Sequence, residues 1–461
     1  MTPRTRPISR AAAIRELDRR LIERVGIPSP LLMDHAAHAV ADVLRARFPD
    51  ARRVMILAGP GNNGGDGYAI ARHLAIAGVA VRVVAVFPPR SAECVLHAVI
   101  AERLGLVARL DDAWEAGSAD LYVDAIFGTG QRAPVEVPGL PPLDAPLVAV
   151  DVPTGIDADT GARVGAFPRA DHVVTIGRLK PFLFVEPIPW DLVDIGSELV
   201  SEREAPEAVL VDALTPTPFL PGDNKWSRGH VGVYAGSPEM AGAAVLAARG
   251  ALRGGAGLVT LLIPKDAWSR LGGLPPEVMV RERGGLEKYD ALVVGPGLGR
   301  GADEDVRRIW RELPIPCVFD ADGLNALDGT PSDHLRLITP HAGEAARLLG
   351  LPWRDLEADR LHTAARLRRV APAIYKGACP IVTGAPLRVL EGGRPQLATG
   401  GSGDVLAGLC GALLAHLRPQ DADGVEAVAL EAAWLHQRAG ALAGPVGIGA
   451  SDIADALPRA R

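Results

Sequence analysis

The chain has 461 residues, enough for two or three domains, and 48% of them are hydrophobic, so sizeable buried cores can form. Lys and Arg number 49 and Asp and Glu 55, a net charge of 49 − 55 = −6 with no long basic run, which argues against nucleic acid as a partner. No apolar run reaches membrane-spanning length, the opening "MTPRTRPISRAAAIRELDRR" lacks a secretion signal's apolar core, and Cys94, Cys317, Cys379 and Cys410 form no CxxC pair; the expectation is a cytoplasmic protein without membrane association or structural zinc.

From Ala11, "AAAIRELDRRLIERVGIP" predicts a helix with Ile14, Leu17, Leu21 and Val25 on one face, stopped by Gly26 and Pro28. Strand-like runs follow: "VMILAG", "VRVVAVF", "LYVDAIFG", "LVAVDVPTG" and "HVVTIG", most with helix-length segments between them. The runs are continuously apolar, as in strands covered on both faces of a parallel sheet. The stretch from Ile188 to Leu220 is rich in proline and acid and reads as a seam near Ser201 to Pro218. Beyond it the alternation restarts with "HVGVYAG", a small-residue helix from Ala241 to Leu252, "LVTLLI", "ALVVGPG", "CVFDADG" and "LRLITPH". The expectation is two α/β domains, residues 1–205 and 206–461. Their motifs differ, so neither duplicates the other.

Open α/β sheets bind ligands outside the carboxyl ends of their strands, and three motifs of the first half sit there. "GPGNNGGDG" follows the first strand, with Asp66 and Gly67 expected to open a helix. Asp124, Gly128 and Gly130 belong to the next motif, and Asp151 and Thr154 to the third. A glycine-rich turn at a helix N-terminus offers N–H groups to a pyrophosphate, although the spacing is not GxGxxG. Asn63, Asp124 and Thr154 offer hard oxygen ligands suited to a cation, and Asp151 is placed for acid–base work. Tight helix–strand packing and helix capping are the structural alternatives for these residues.

In the second half, "QLATGGSGDVLAGLCGALLAH" puts Gly400 to Gly403 at the mouth of an apolar helix and Asp404 in its first turn. Such a turn can hold phosphoryl oxygens, with the carboxylate as base for a substrate hydroxyl. The alternative is a capped helix start. His341 after a strand can equally be a hydrogen-bonded structural residue, and Lys225 beside Trp226 a surface salt-bridge former.

"IPSPLLMDHAA", "GPGNNGGDG", "DAIFGTG", "DVPTGID" and "DHVVTIGRLKP" together resemble the NAD(P)H-hydrate epimerase domain, a Rossmann-like fold, from about Ala11 to Gly196. The resemblance implies potassium ligands Asn63, Asp124 and Thr154, the last standing where the family more often has Ser. It implies nucleotide contacts from Asn62, Asn63, Gly64, Gly65, Asp66, Gly128, Thr129, Gly130, Gln131, Arg132, Ala133, Pro134 and Asp151, with Asp151 catalytic.

"NKWSRGHVGVYAGS", "YDALVVGPGLG", "CVFDADGLNAL", "LITPHAGEAARLLG", "YKGA", "GGSGD" and "EAAWLHQRAGALA" resemble the ribokinase-like, ADP-dependent (S)-NAD(P)H-hydrate dehydratase from about Asp223 to Leu457. The resemblance implies that Ala243, Gly299, His341 and Asp404 hold the hydrate. It gives Lys376, Gly377, Ala378, Cys379, Pro380 and Gly403 to the adenine nucleotide. Asp404 would be the base, and magnesium would come with ADP, with Glu344 a water-mediated ligand. Pro380 departs from the family pattern and removes an N–H that would otherwise face phosphate; Ser402 replaces the usual Thr.

A homo-oligomer is the expectation, and taken together the two resemblances imply an enzyme that repairs hydrated NADH and NADPH (NADHX and NADPHX). One domain would epimerise R and S hydrates. The other would dehydrate the S epimer with ADP, releasing AMP and phosphate. The alternative is a ribokinase-like small-molecule kinase behind a non-catalytic nucleotide-binding domain.

Overall fold

The computed structural model describes residues 3–108, 119–131, 137, 143–185, 188–201, 206–392 and 394–461. They form two compact units, 7–206 and 207–461, and the N-terminal residues through Arg6 group with the second.

After β1 (Arg4–Ile8), the N-terminal unit runs α1 (Ala11–Glu23), α2 (Ser29–Arg47), β2 (Arg53–Ala58), α3 (Asn62–Ile76), β3 (Ala80–Ala85), α4 (Ala92–Arg103), β4 (Val107–Ala108), β5 (Leu121–Ala125), β6 (Leu147–Val150), β7 (His172–Ile176) and β8 (Trp190–Val193). Its sheet has the order β4-β3-β2-β5-β6-β7-β8, parallel throughout. β5 and β6 are buried along their whole length, as two-sided cover requires. The chain winds outward from β2 to β4 on one side and from β5 to β8 on the other. The reversal between β2 and β5 opens the crevice where such sheets bind ligands.

Two local expectations need correction. α1 buries Ile14, Leu17 and Leu21, but it ends at Glu23, and Val25 lies beyond it with 54% of its surface exposed. α3 begins at Asn62 rather than near Asp66. The reason lies at Gly59, where a Cβ would sit 1.8 Å from the Ile126 carbonyl oxygen. The chain leaving β2 presses backbone to backbone on the chain leaving β5 and turns at once into the helix.

The C-terminal unit runs β9 (Ala208–Ala213), β10 (His230–Tyr234), α5 (Ala241–Arg253), β11 (Leu258–Leu262), β12 (Met279–Arg281), β13 (Ala291–Val294), α6 (Asp303–Glu312), β14 (Cys317–Phe319), α7 (Asp322–Asn325), β15 (Arg336–Ile338), α8 (Ala342–Leu349), α9 (Trp353–Ala358), α10 (Arg360–Leu367), β16 (Ile374–Tyr375), β17 (Ile381–Val382), β18 (Leu387–Leu390), α11 (Ser402–Leu417), α12 (Ala422–Ala443) and α13 (Ala450–Ala456). A parallel six-stranded sheet has the order β12-β11-β10-β13-β14-β15, and a mixed five-stranded sheet the order β1-β9-β18-β17-β16. α5 packs on α11 so closely that a Cβ at Gly408 would lie 2.0 Å from the Ala247 carbonyl oxygen, which explains the small-residue composition of that helix pair.

β9 crosses the stretch expected to be a linker. Ala208 to Val211 are buried, and Asp212 takes a forked ion pair from Arg6 of β1, with Nη2–Oδ1 at 2.7 Å and Nε–Oδ2 at 2.8 Å. The strand's short apolar run is flanked by proline and acid, which hid it in the sequence.

Candidate active sites

In the N-terminal unit the carboxylate of Asp124, wholly buried at the end of β5, accepts hydrogen bonds from Ile126 N (3.1 Å), Thr154 N (2.7 Å) and Thr154 Oγ1 (2.7 Å). All three donors are uncharged, and burial pushes its acid up to about 6. Thr154 Oγ1 in turn accepts from Phe127 N at 3.2 Å. Asn63 sits in the first turn of α3 with one end of its amide buried and unpartnered. A side chain begun at Gly128 would lie 3.2 Å from both Asn63 Oδ1 and Asp151 Oδ2, so the missing side chain leaves a small oxygen-lined cradle. The unpartnered end of the Asn63 amide is Nδ2, a donor, so what suits a hard cation here is the set of oxygens, Asn63 Oδ1, Thr154 Oγ1 and an Asp124 carboxylate without a cationic hydrogen-bond donor.

Asp151 follows β6 with φ at 67°, in the left-handed region that a non-glycine residue occupies at a cost of about 1–3 kcal/mol. Its Oδ1 receives Lys180 Nζ at 2.6 Å and Ile176 N at 3.2 Å, leaving Oδ2 on the Gly128 side. Lys180 is fully buried and also donates to Thr175 Oγ1 (2.9 Å), Ile176 O (2.8 Å) and Arg178 O (3.1 Å), which fixes its ammonium group. Asp18 of α1 joins this group. Burial, then the charge of Asp151, pushes its acid up to about 6 against the pull of Lys180, and its Oδ1 is buried without a partner. Asp66 is raised as well, by burial and then by Asp151 and Asp18.

The loop residues around these groups fall as follows. Asn62 is exposed, Gly64 and Gly65 are buried in α3, and Thr129 and Gly130 form the turn after Gly128. Gln131 Oε1 accepts from Gly155 N at 3.0 Å, tying the second motif to the third. Arg132, Ala133 and Pro134 lie outside the described residues. Asp18 and Lys180 escaped the sequence reading. The signal for Asp18 was an acid at helical spacing between Ile14 and Leu21 on a buried face.

In the C-terminal unit, Gly299, Asp320, His341 and Lys376 follow the carboxyl ends of β13, β14, β15 and β16. Gly401, at φ 87°, turns the chain into α11 and leaves Asp404 in its first turn. Burial first, then Asp320 with smaller help from Glu344 and Asp322, pushes the Asp404 acid up to about 7 against the pull of Lys376. Lys376 Nζ lies 2.7 Å from Asp320 Oδ1 and 3.6 Å from Glu344 Oε2. Burial alone would lower its pKa, but these carboxylates raise it. A Cβ at Gly403 would be 3.5 Å from both Lys376 Nζ and Asp320 Oδ2, so the start of α11 faces this pair. The lysine's amino group thus serves the carboxylates, while its backbone belongs to the turn that continues through Gly377, Ala378, Cys379 and Pro380.

Asp322 Oδ2 accepts from Gly299 N at 2.9 Å. Ala243, in the first turn of α5, borders the same loop: a side chain begun at Gly297 would meet its Cβ at 3.0 Å. His341 caps α8, its Nδ1 accepting from Gly343 N at 2.9 Å while Glu344 Oε2 accepts from His341 N at 2.9 Å. The capping role is real, yet 56% of the His341 side chain is exposed. Beneath the turn, His436 Nε2 lies 3.0 Å from Ser402 O and 3.2 Å from Ser402 Oγ, and burial pushes its pKa down to about 4, so the ring is neutral. Cys379 is buried and its thiol is pushed up to about 11 by that burial, which makes it inert. Lys225 Nζ sits 5.2 Å from the ring centre of Trp226. Asp320, Asp322 and His436 also escaped the sequence reading, although "CVFDADG" carried the same strand-end signal as Asp151. Among the described residues no group of three or more His, Cys, Asp or Glu is arranged to hold a metal ion.

Residues 29–182 match the family model described as YjeF-related protein N-terminus, and residues 231–458 the model described as NAD(P)H-hydrate dehydratase. A curated protein of Escherichia coli (strain K12), "Bifunctional NAD(P)H-hydrate repair enzyme Nnr", is 36% identical over 89% of this chain and 85% of its own. One of the same description from Thermanaerovibrio acidaminovorans is 37% identical over 93% of this chain and 92% of its own. A solved ADP/ATP-dependent NAD(P)H-hydrate dehydratase from Bacillus subtilis, co-crystallised with ATP and Mg2+, aligns with 53% of this chain and 93% of its own at 26% identity and TM-score 0.47.

Proposed function

The chain belongs to the family of bifunctional NAD(P)H-hydrate repair enzymes, and from that premise we propose how its two units divide the work. The enzyme interconverts the R and S hydrates of NADH and NADPH. It dehydrates the S epimer back to the dihydronicotinamide, consuming ADP and releasing AMP and phosphate. The N-terminal unit, residues 7–206, is the epimerase, and the unit that begins at Glu207 is the dehydratase.

In the epimerase, inversion at the hydroxyl-bearing carbon means breaking one bond there and remaking it on the other face, with a proton moved each way. Asp151 carries that proton. Its Oδ1 is held by Lys180 and Ile176 N, so Oδ2 remains for the substrate hydroxyl. Asp18, raised to about 6, supplies a second carboxyl near neutrality. The N-terminal turn of α3, Asn62 to Asp66, and the turn from Gly128 to Gln131 hold the nucleotide, and the reading extends to Arg132, Ala133 and Pro134. Asn63, Asp124 and Thr154 would hold potassium, which supplies fixed positive charge beside the substrate.

In the dehydratase, hydroxide is a poor leaving group. Asp404 takes the proton of the hydrate's hydroxyl, and the oxygen attacks the terminal phosphorus of ADP. The bridging P–O bond breaks and AMP leaves. Phosphate then departs with the C–O electron pair, a proton leaves the neighbouring carbon, and the ring double bond is restored. Lys376, held by Asp320 and Glu344, sets positive charge beside the reacting groups. Ala243, Gly299 and His341 position the hydrate, while Gly403 and the Lys376–Pro380 turn hold the nucleotide. Glu344 would hold magnesium through water, and the ion would supply positive charge to the nucleotide's phosphates.

The observation that carries this reading is the Asp404 carboxyl, poised near 7 in the first turn of α11 beside a buried lysine–aspartate pair. Product analysis tests it. Dehydration gives inorganic phosphate and AMP in step with NADH, whereas a small-molecule kinase leaves a stable phosphoester.

A further inference from the structure

We propose that Arg360 is a positioning residue for the adenine nucleotide, holding the Lys376–Pro380 turn in its binding shape from behind. The inference rests on the reading of that turn as the nucleotide's.

Arg360 opens α10 and is 94% buried, being 6% exposed. Its Nη2 donates to two carbonyl oxygens of the turn, Lys376 O at 3.2 Å and Cys379 O at 3.3 Å. Its Nη1 lies 2.9 Å from both carboxylate oxygens of Glu357, and its guanidinium carbon stacks 4.5 Å from the ring centre of Tyr375. Tyr375 closes the clamp by donating its hydroxyl to Glu357 Oε1. The guanidinium is therefore fixed before any ligand arrives, and it fixes the turn.

Trans peptide units are planar, with the carbonyl and the following N–H pointing opposite ways. Anchoring Lys376 O on Arg360 therefore aims the Gly377 N–H away from the arginine. Gly377 and Ala378 are exposed on that open side. The second anchored carbonyl, Cys379 O, precedes Pro380, which has no N–H to aim, so that anchor only sets the turn's shape. Gly377 is required by the same contact: at φ 156°, a Cβ there would lie 2.4 Å from Arg360 Nη2. The arginine and the glycine make one device that aims the Gly377 N–H at an anion, and the anchor before Pro380 holds the shape of the turn.

Arg360→Lys tests this with the full chain. Lysine keeps a positive charge for Glu357 but lacks the planar fork that bridges two carbonyls. The dissociation constant for ADP, by calorimetry, is expected to rise at least about tenfold, the loss typical of hydrogen bonds from a charged group. The KM for the S hydrate and kcat at saturating ADP should stay within about threefold, and epimerisation should not change. Arg360→Ala should lose ADP affinity further, and added ethylguanidinium should restore part of it. Unchanged ADP affinity would overturn the proposal. So would an equal loss for ADP and hydrate that follows a fallen melting temperature and is not rescued by ethylguanidinium. Ala378→Asp separates the two layers by placing a carboxylate on the turn's open side without touching Arg360. If it leaves ADP binding intact, the turn does not bind nucleotide and the proposal falls with that reading. If it weakens ADP binding while Arg360→Lys does not, the turn stands and Arg360 is excluded.

Discussion

Lys376 Nζ and Asp320 Oδ1 are 2.7 Å apart, and the first turn of the helix that carries Asp404 faces this pair. Asp404 therefore titrates in the field of both partners, the carboxylate raising it and the ammonium lowering it. The balance leaves the acid near 7, suited to taking a proton at neutral pH and releasing it.

Replacing the carboxyl while keeping its shape isolates that role. Asp404→Asn should lower ADP-dependent dehydration by about two to four orders of magnitude and leave R to S exchange at the wild-type rate. Both rates can be followed on one protein sample, by NADH absorbance and by chromatography of the epimers. A variant that dehydrates normally would make Asp404 only a helix-start residue.

The pH dependence follows from the same group. A base must be ionised to act, so kcat/KM for dehydration should be full above pH 7 and fall about tenfold per unit below it. Asp320→Asn removes a negative charge that raises Asp404, so the acid limb should move to lower pH. A limb that stays in place, or moves up, would show that Asp404 does not set it.

In the epimerase the decisive pair is Lys180 with Asp151, whose atoms are 2.6 Å apart. Lys180→Met leaves the partly buried Asp151 carboxylate without its counter-charge, a change that costs up to about 3 kcal/mol. Epimer exchange should be lost and the melting temperature of the N-terminal unit should fall. Asp151→Ala should abolish exchange as well, with dehydration of the S epimer unchanged in both variants. Exchange that survives in Asp151→Ala would remove that residue from the mechanism.

Much of this was legible in the sequence, for reasons that also explain what was not. β2, β5, β6, β10 and β13 are buried on both faces, so their apolar runs stood out. The strand-end rule then pointed to Asp124 and Asp151, whereas Gly299 and His341 came only from the family resemblance. The short strands β4, β16 and β17 carry only two residues each, below any periodic signal. β9 was hidden by its flanks. Asp18 lies in α1, Lys180 and Asp320 in the chain after β7 and β14, and Arg360 in α10, and their value lies in which carboxylate or carbonyl each meets across the fold. Local sequence does not encode those meetings.

The N-terminal strand gives a prediction that reading alone would have missed. A C-terminal fragment starting at Glu207 lacks β1, leaving one edge of β9 without its neighbour and Asp212 without Arg6. It should dehydrate the S epimer but melt lower and aggregate more readily than a fragment with residues 3–8 fused ahead of it. Equal melting temperatures would show that β1 adds no stability to this sheet.

The most direct test of the account gives the intact protein mixed R and S NADH-hydrate with ADP and Mg2+, and follows NADH absorbance to its end point. Two active sites in one chain predict recovery of both epimers, beyond the S fraction and faster than spontaneous exchange, with one AMP and one phosphate per NADH. Recovery that stops at the S fraction, with the R epimer left to exchange at its uncatalysed rate, would contradict it.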